Sequence, residues 1–302
     1  MKEHIIIGTR GSDLALWQAR FVQEELSKLG IKSDLKIIST QGDRVQDLNF
    51  SKMEGKGFFT KEIEESLLNG EIDMAVHSMK DLPTASTSGL TIGGVSLREN
   101  PCDVLLIRQE IYKEGNPLGL GEGSTIGTSS NRRKALIQYL WPNINHKDLR
   151  GNVPTRVQKL REGHFDAIIL AKAGLSRLGL DLTGLVAKEL HPREFIPAPA
   201  QGVLAFQCRD EDAETLAVLR KIHQGITIET TNVERKILKI LDGGCQLPVG
   251  AYCERDLLNN YHVWACYTPS LDMPLRVVKV SLSTSAGLAE EVVQKLKDES
   301  KS

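Results

Sequence analysis

Three stretches of this chain repeat one chemical device. A short apolar run ends near glycine, a hydroxyl or amide residue opens a helical stretch, and arginine stands beside it. The copies are Ile7-Gly8-Thr9-Arg10-Gly11-Ser12, Ile126-Gly127-Thr128-Ser129-Ser130-Asn131-Arg132-Arg133 and Leu149-Arg150-Gly151-Asn152-Val153-Pro154-Thr155-Arg156. Helix N-termini offer N–H groups with no partner inside the helix and the positive end of a dipole, and arginine grips carboxylates through a planar fork of donors. Any single copy reads equally well as a capped helix beside a solvated arginine. Three copies point to a ligand carrying several carboxylates or phosphates. A P-loop is disfavoured, because no GxxxxGK[ST] occurs, and Gly8-Thr9-Arg10-Gly11 is too short for a dinucleotide fingerprint.

Two further residues could do chemistry. Asp81 lies in His77-Ser78-Met79-Lys80-Asp81-Leu82-Pro83, directly after the buried run Asp73-Met74-Ala75-Val76. A carboxylate beside a cation at the carboxyl end of a strand is where open α/β sheets bind ligands. An aspartate marking the turn before Pro83 is the competing reading. Cys245 follows Gly243-Gly244, which let the backbone turn sharply, so its thiolate could serve as nucleophile or attachment point; an inert buried thiol is the alternative. Cys208, Cys253 and Cys266 sit in apolar or alternating runs and fit the inert description. The five cysteines are odd in number and lack CxxC spacing, so reduced thiols are expected. The seven histidines show neither HxH nor HExxH, and no metal site is expected.

The elements that must position these residues alternate short β-branched runs with helical stretches, an α/β pattern with mainly parallel strands. Ile5-Ile6-Ile7 reads as a strand; Ser12 caps a helix with the stripe Leu14, Trp17, Phe21, Val22, Leu26 and Leu29, closed by Gly30. Residues 35–38 form the next strand, residues 41–57 a polar glycine-containing loop beside the site, and Thr60 caps a helix ending near Gly70. A second unit runs through strands at 103–107, 124–126, 147–150 and 166–170, and the proline-rich segment 191–199 crosses between domains. The strand 202–207 and the helix from Glu211 return to the first unit. A long helix, 227–241, then precedes Cys245, followed by three alternating runs and a last helix, 288–296. The expected fold class is therefore α/β with three domains: 1–98 plus about 201–222, 99–200, and a small α/β module with an antiparallel sheet, 223–302.

With 302 residues, 40% hydrophobic and 25% charged, the chain is a folded protein of more than one core. A formal charge of -1 gives no global attraction to nucleic acid or to an anionic membrane. The short apolar N-terminus is neither signal peptide nor membrane span, so a cytoplasmic protein is expected.

Taken together, Thr9-Arg10-Gly11-Ser12-Asp13-Leu14-Ala15-Leu16-Trp17-Gln18, Gly55-Lys56-Gly57-Phe58-Phe59-Thr60-Lys61-Glu62, Ala75-Val76-His77-Ser78-Met79-Lys80-Asp81-Leu82-Pro83, Gly127-Thr128-Ser129-Ser130, Leu149-Arg150-Gly151-Asn152 and Gly243-Gly244-Cys245-Gln246 resemble the porphobilinogen deaminase (hydroxymethylbilane synthase) family along nearly the whole chain. The resemblance implies two domains built like periplasmic binding proteins with the active cleft between them, and a third domain carrying the cofactor cysteine. It implies a dipyrromethane cofactor bonded through Cys245, to which four porphobilinogen units are added with loss of ammonia before the tetrapyrrole is released by hydrolysis. Asp81 then matches the catalytic aspartate. Lys80, Ser129 and Ser130 match cofactor contacts, Lys56 and Phe59 a loop over the cleft, and Gln201 a hinge-region position. Arg10, Arg132, Arg133, Arg150, Arg156 and Arg177 would meet the acetate and propionate groups, with Ser12, Gln18, Ser78 and Thr128 among the binding residues. The resemblance also suggests a monomer, with movement of the domains and of the 41–57 loop as the bound chain lengthens.

Gly11, Asn131, Cys102, Lys172 and Ala200 depart from the usual pattern; glycine is more usual at position 200. None of them touches Asp81, Cys245 or the arginines in sequence matching. A non-catalytic polycarboxylate-binding protein would use the same arginine-bearing helix ends but gives Cys245 no role. A nucleic-acid-binding regulator would need a basic face and a recognition motif, which the sequence lacks.

Overall fold

The computed structural model describes residues 2–40, 60–116, 118–241 and 247–298. They divide into two compact units, residues 1–99 with 202–229, and residues 100–201 with 230–302.

The first unit is built on a five-stranded sheet of order β2-β1-β3-β10-β4. Its strands are β1 (His4–Thr9), β2 (Lys32–Ile37), β3 (Met74–Ser78), β4 (Leu90–Val95) and β10 (Leu204–Arg209). Strand β1 pairs in parallel with β2 and β3, whereas β10 is antiparallel to β3 and β4, so β10 alone opposes the other four. Alternation assigns the two faces. Ile5, Ile7, Met74, Val76 and Phe206 pack against α1 (Asp13–Lys28) and α6 (Ala213–Ile222), while Ala75 and Leu90 pack against α2 (Lys61–Leu68). Burying one such aliphatic side chain contributes about 1.5–3 kcal/mol.

The second unit repeats that order with other strands. Its five-stranded sheet runs β7-β6-β8-β5-β9, from β5 (Asp103–Arg108), β6 (Thr125–Gly127), β7 (Asn145–Lys147), β8 (Ala167–Ala171) and β9 (Leu185–Leu190). Here β5 is the strand that opposes the other four. Leu105, Ile107 and Ile169 face one core and Val104, Leu106, Ile168 and Leu170 the other, packed by α3 (Asn131–Leu140), α4 (Val153–Arg161) and α5 (Lys172–Leu178). The same unit holds an antiparallel sheet of β11 (Val249–Arg255), β12 (Tyr261–Tyr267) and β13 (Arg276–Leu282). One face of it carries α8 (Leu288–Lys297) and, from Thr230 on, α7 (Gly225–Ile240), through Val233, Ile237, Ala251, Val263 and Val292. The mixed α/β class expected from the sequence is the class observed, with two largely parallel sheets and one small antiparallel sheet.

Local expectations fare unevenly. The strand expected at 147–150 lies earlier, at Asn145–Lys147. Leu149 and Arg150 follow it because the Leu149 carbonyl accepts the Ser129 hydroxyl at 2.9 Å and Gly151, at φ +111, turns the chain into α4. Thr60 occupies the N-cap position of α2, but its side chain makes no capping hydrogen bond. On α1 the buried face is Gln18, Ala19, Val22 and Leu26, whereas Leu14, Trp17 and Phe21 are half-buried and Leu29 is exposed.

Candidate active site

All three arginine-bearing segments do open helices in the way their residue types dictate. Ser12 accepts from the Ala15 N–H at the start of α1, Ser130 from Arg133 N–H at the start of α3, and Asn152 from Thr155 N–H at 2.9 Å at the start of α4. In the first unit, parallel register sets Gly8 beside Ala75, so the segments leaving β1 and β3 emerge side by side at their carboxyl ends. These segments carry Arg10 and Ser12 on one side and Ser78, Lys80 and Asp81 on the other. Gln18, buried on α1, donates its amide to Ser78 Oγ at 2.9 Å and ties the helix to that edge.

Asp81 ends a single 3-10 turn, Met79–Asp81, and its side chain is exposed. The turn is fixed by backbone hydrogen bonds, Met79 N–H to the Val203 carbonyl at 2.9 Å and Leu82 N–H to the Met79 carbonyl at 3.3 Å. Behind it, His77 is buried and hydrogen-bonds Gln207 Oε1 at 3.0 Å; Gln207 in turn donates to Glu64 at 2.9 Å. Burial above all, with the Arg10 charge adding to it against the Gln207 bond, lowers the His77 pKa to about 4. The imidazole is therefore neutral, a structural partner of Gln207.

In the second unit the corresponding strand ends gather Thr128, Ser129, Ser130, Arg150 and Arg156. Gly127 pairs with Lys147 and Ile168, and Thr128 N–H donates to the Lys147 carbonyl at 2.8 Å. Ser129 is exposed and Arg150 half-buried; Arg156 donates from Nε to the Gly151 carbonyl at 2.7 Å. Arg177, on α5, is buried.

Arg132 and Arg133 are buried and turned toward Asp103, the first residue of β5, which by residue type alone is an ordinary strand start. Arg133 Nη2 meets Asp103 Oδ1 at 2.7 Å and Arg132 Nη1 meets Oδ2 at 2.9 Å. The same guanidiniums donate to the Ile169 and Ile196 carbonyls, each at 2.8 Å. Gln201, fully buried, adds its amide to Asp103 Oδ1 at 3.0 Å and to the Pro101 carbonyl at 2.8 Å. Burial alone would raise the Asp103 pKa, but the two guanidiniums outweigh it and hold the carboxyl well below the usual carboxylate range. The available signal was one acidic residue leading the apolar run Val104-Leu105-Leu106-Ile107. Two guanidiniums share this carboxylate, which leaves the start of α3 locally cationic.

Cys102, Cys208, Cys253 and Cys266 are buried. Burial pushes the Cys208 and Cys266 thiols up to about 11 and about 12, the behaviour of inert thiols. Cys245, Lys56 and Phe59 lie outside the described residues. Among the described residues no group of three or more His, Cys, Asp or Glu is placed to hold a metal ion, and no helix is long and apolar enough to cross a membrane.

Residues 5–217 match the family model described as "Porphobilinogen deaminase, dipyromethane cofactor binding domain", and residues 228–299 match "Porphobilinogen deaminase, C-terminal domain". A porphobilinogen deaminase of Oceanobacillus iheyensis is 44% identical over 254 residues, covering 83% of this chain and 81% of its own. A probable porphobilinogen deaminase of Methanocaldococcus jannaschii is 44% identical over 256 residues, 84% of each chain. One from Desulforamulus reducens is 39% identical over 303 residues, covering 98% of this chain and 95% of its own. The two family matches span the segments that carry Arg10, Asp81, the Arg132–Arg133 pair and Cys245, and the chain belongs to the porphobilinogen deaminase family.

Proposed function

We propose that this protein joins four porphobilinogen molecules stepwise, with loss of ammonia, onto a dipyrromethane bonded through sulfur to Cys245, and releases the linear tetrapyrrole hydroxymethylbilane. The observation that carries this reading is Asp81: an exposed carboxylate on a turn whose backbone is fixed at both ends, at the edge of the sheet where Arg10, Ser78 and Lys80 also emerge.

The residue types suit the chemistry. Porphobilinogen brings an acetate and a propionate, which call for cationic and N–H donors, and Arg10, Arg150, Arg156 and Arg177 with the α3 segment supply them. Departure of ammonia leaves the substrate as an electron-poor pyrrole with positive charge on its ring nitrogen. A carboxylate held in place before the reaction stabilises that developing charge more than it stabilises the bound substrate, and this is the role assigned to Asp81.

The donor set also fits a dipyrromethane, itself a polycarboxylate. The hydroxyls of Thr128, Ser129 and Ser130, the positive end of the α3 dipole and the cationic surplus at Arg132 and Arg133 would hold its acidic groups. Lys80, in the first unit, is likewise assigned to cofactor binding on the family resemblance. When bound, that group supplies the pyrrole carbon that is extended. Lys56 and Phe59 are assigned to a loop beside the site. The three-domain division given above, a monomeric state, a cytoplasmic location and the absence of nucleic-acid or membrane partners complete the reading.

Asp81→Asn tests it. An exposed side chain on a fixed turn should leave the fold intact, while porphobilinogen consumption falls by roughly 100-fold or more. Near-normal turnover would remove Asp81 from the mechanism.

A further inference from the structure

Glu234, on α7, has no solvent exposure, and its carboxylate accepts two backbone donors at once. Oε2 receives the Ala200 N–H and Oε1 the Cys253 N–H of β11, each at 2.7 Å. Ala200 is fully buried and holds φ +61, a left-handed conformation that strains any residue with a Cβ. A charged acceptor on its N–H is a strong means of keeping it there. The next residue is Gln201, whose amide reaches the Pro101 carbonyl and Asp103 Oδ1, and Asp103 binds both Arg132 and Arg133. One buried carboxylate thus fixes the backbone beside the amide that aligns a second buried carboxylate, and the second orients two guanidiniums at the start of α3.

We propose that Glu234 is a positioning residue for the Arg132–Arg133 pair, acting through Ala200, Gln201 and Asp103. The proposal rests on the reading of that pair as part of the carboxylate-binding apparatus. It also accounts for a buried charge on the helix that ends at Ile240, five residues before Cys245 in the chain: the helix leading to the attachment cysteine is fastened to the segment that sets the arginines. Glutamine at 234 would keep the size but offer one acceptor oxygen where two N–H donors converge, and its own NH2 would face the other donor. Glycine at 200 adopts φ +61 without strain and should relieve the need for the clamp.

The test compares wild type, Glu234→Gln, Ala200→Gly and the double variant as full-length protein, by hydrogen exchange and by steady-state kinetics with porphobilinogen. In Glu234→Gln, amide exchange should rise about tenfold both in residues 197–203 and at the start of α3, as expected for loss of a hydrogen bond to a charged group. The KM for porphobilinogen should rise about fivefold or more with kcat little changed, because binding of carboxylates is lost uniformly while Asp81 is untouched. Ala200→Gly alone should match wild type, and the double variant should recover both readouts. Should Glu234→Gln fail to fold, Gln201→Leu cuts the relay further along and should loosen α3 while leaving the Ala200 amide protected. The proposal is overturned if faster exchange stays confined to residues 197–203, if KM does not move, if glycine at 200 gives no recovery, or if Gln201→Leu leaves α3 unchanged. A wild-type protein that consumes no porphobilinogen would sink the functional reading instead, and the exchange experiment would still decide the relay.

Discussion

Arg133 reaches Asp103 at 2.7 Å in a place closed to solvent, and the carboxylate it meets is the one that Arg132 also holds. Two buried cations depend on one buried anion, so removing the anion is far more damaging than its single charge suggests. Asp103→Ala is expected to lose about 3–5 kcal/mol of stability, read from urea unfolding, because the guanidiniums are left desolvated without their partner. A loss below about 1 kcal/mol, the size of an exposed ion pair, would contradict the buried geometry.

His77 gives the protein a pH dependence of defined sign. Its pKa is about 4 in the fold against 6.5 for a free imidazole, so between those values the unfolded chain binds a proton that the folded chain refuses. Stability from this group is complete above pH 6.5 and lost as pH falls toward 4. The contribution is at most about 3 kcal/mol. Unfolding midpoints measured across that window should fall less steeply for His77→Gln than for wild type; parallel curves would mean the imidazole is protonated in the fold.

Gly202 sits at φ +92, and a Cβ built there would run into the Glu99 carbonyl oxygen, a backbone atom that cannot swing aside. Gly202→Ala is therefore expected to cost more than the 1–2 kcal/mol or so of left-handed strain alone. Thermal unfolding checks this, and a neutral substitution would show that the backbone at 99 and 202 is free to separate.

Much of this architecture was legible because it follows from short-range periodicity. Ile5-Ile6-Ile7 and Val104-Leu105-Leu106-Ile107 announce strands, and Ser12, Ser130 and Asn152 cap the helices their residue types predict. The buried face of α1 was less legible. Gln18 is polar, so hydropathy assigns it to solvent, yet Ser78 satisfies its amide and Gln18 is buried while Leu29 at the helix end is exposed. The same limit hid Asp103 and Glu234. Their buried carboxylates are held by donors distant in sequence, on Arg132, Arg133 and Gln201 for Asp103 and on Ala200 and Cys253 for Glu234, and no local pattern records such partners. Asp81, Ser129, Arg10 and Arg150 were legible as residue types just after strands, whereas Arg177, in the last turn of α5, came only through the family resemblance; that Arg132 and Arg133 turn inward was not legible.

The central claim is a cofactor bonded to Cys245, and intact mass under denaturing conditions tests it most directly. Freshly purified protein, or protein first incubated with porphobilinogen, should exceed its sequence mass by two pyrrole units, and Cys245→Ser should not. An unmodified mass after incubation, or an adduct that survives Cys245→Ser, would contradict the account.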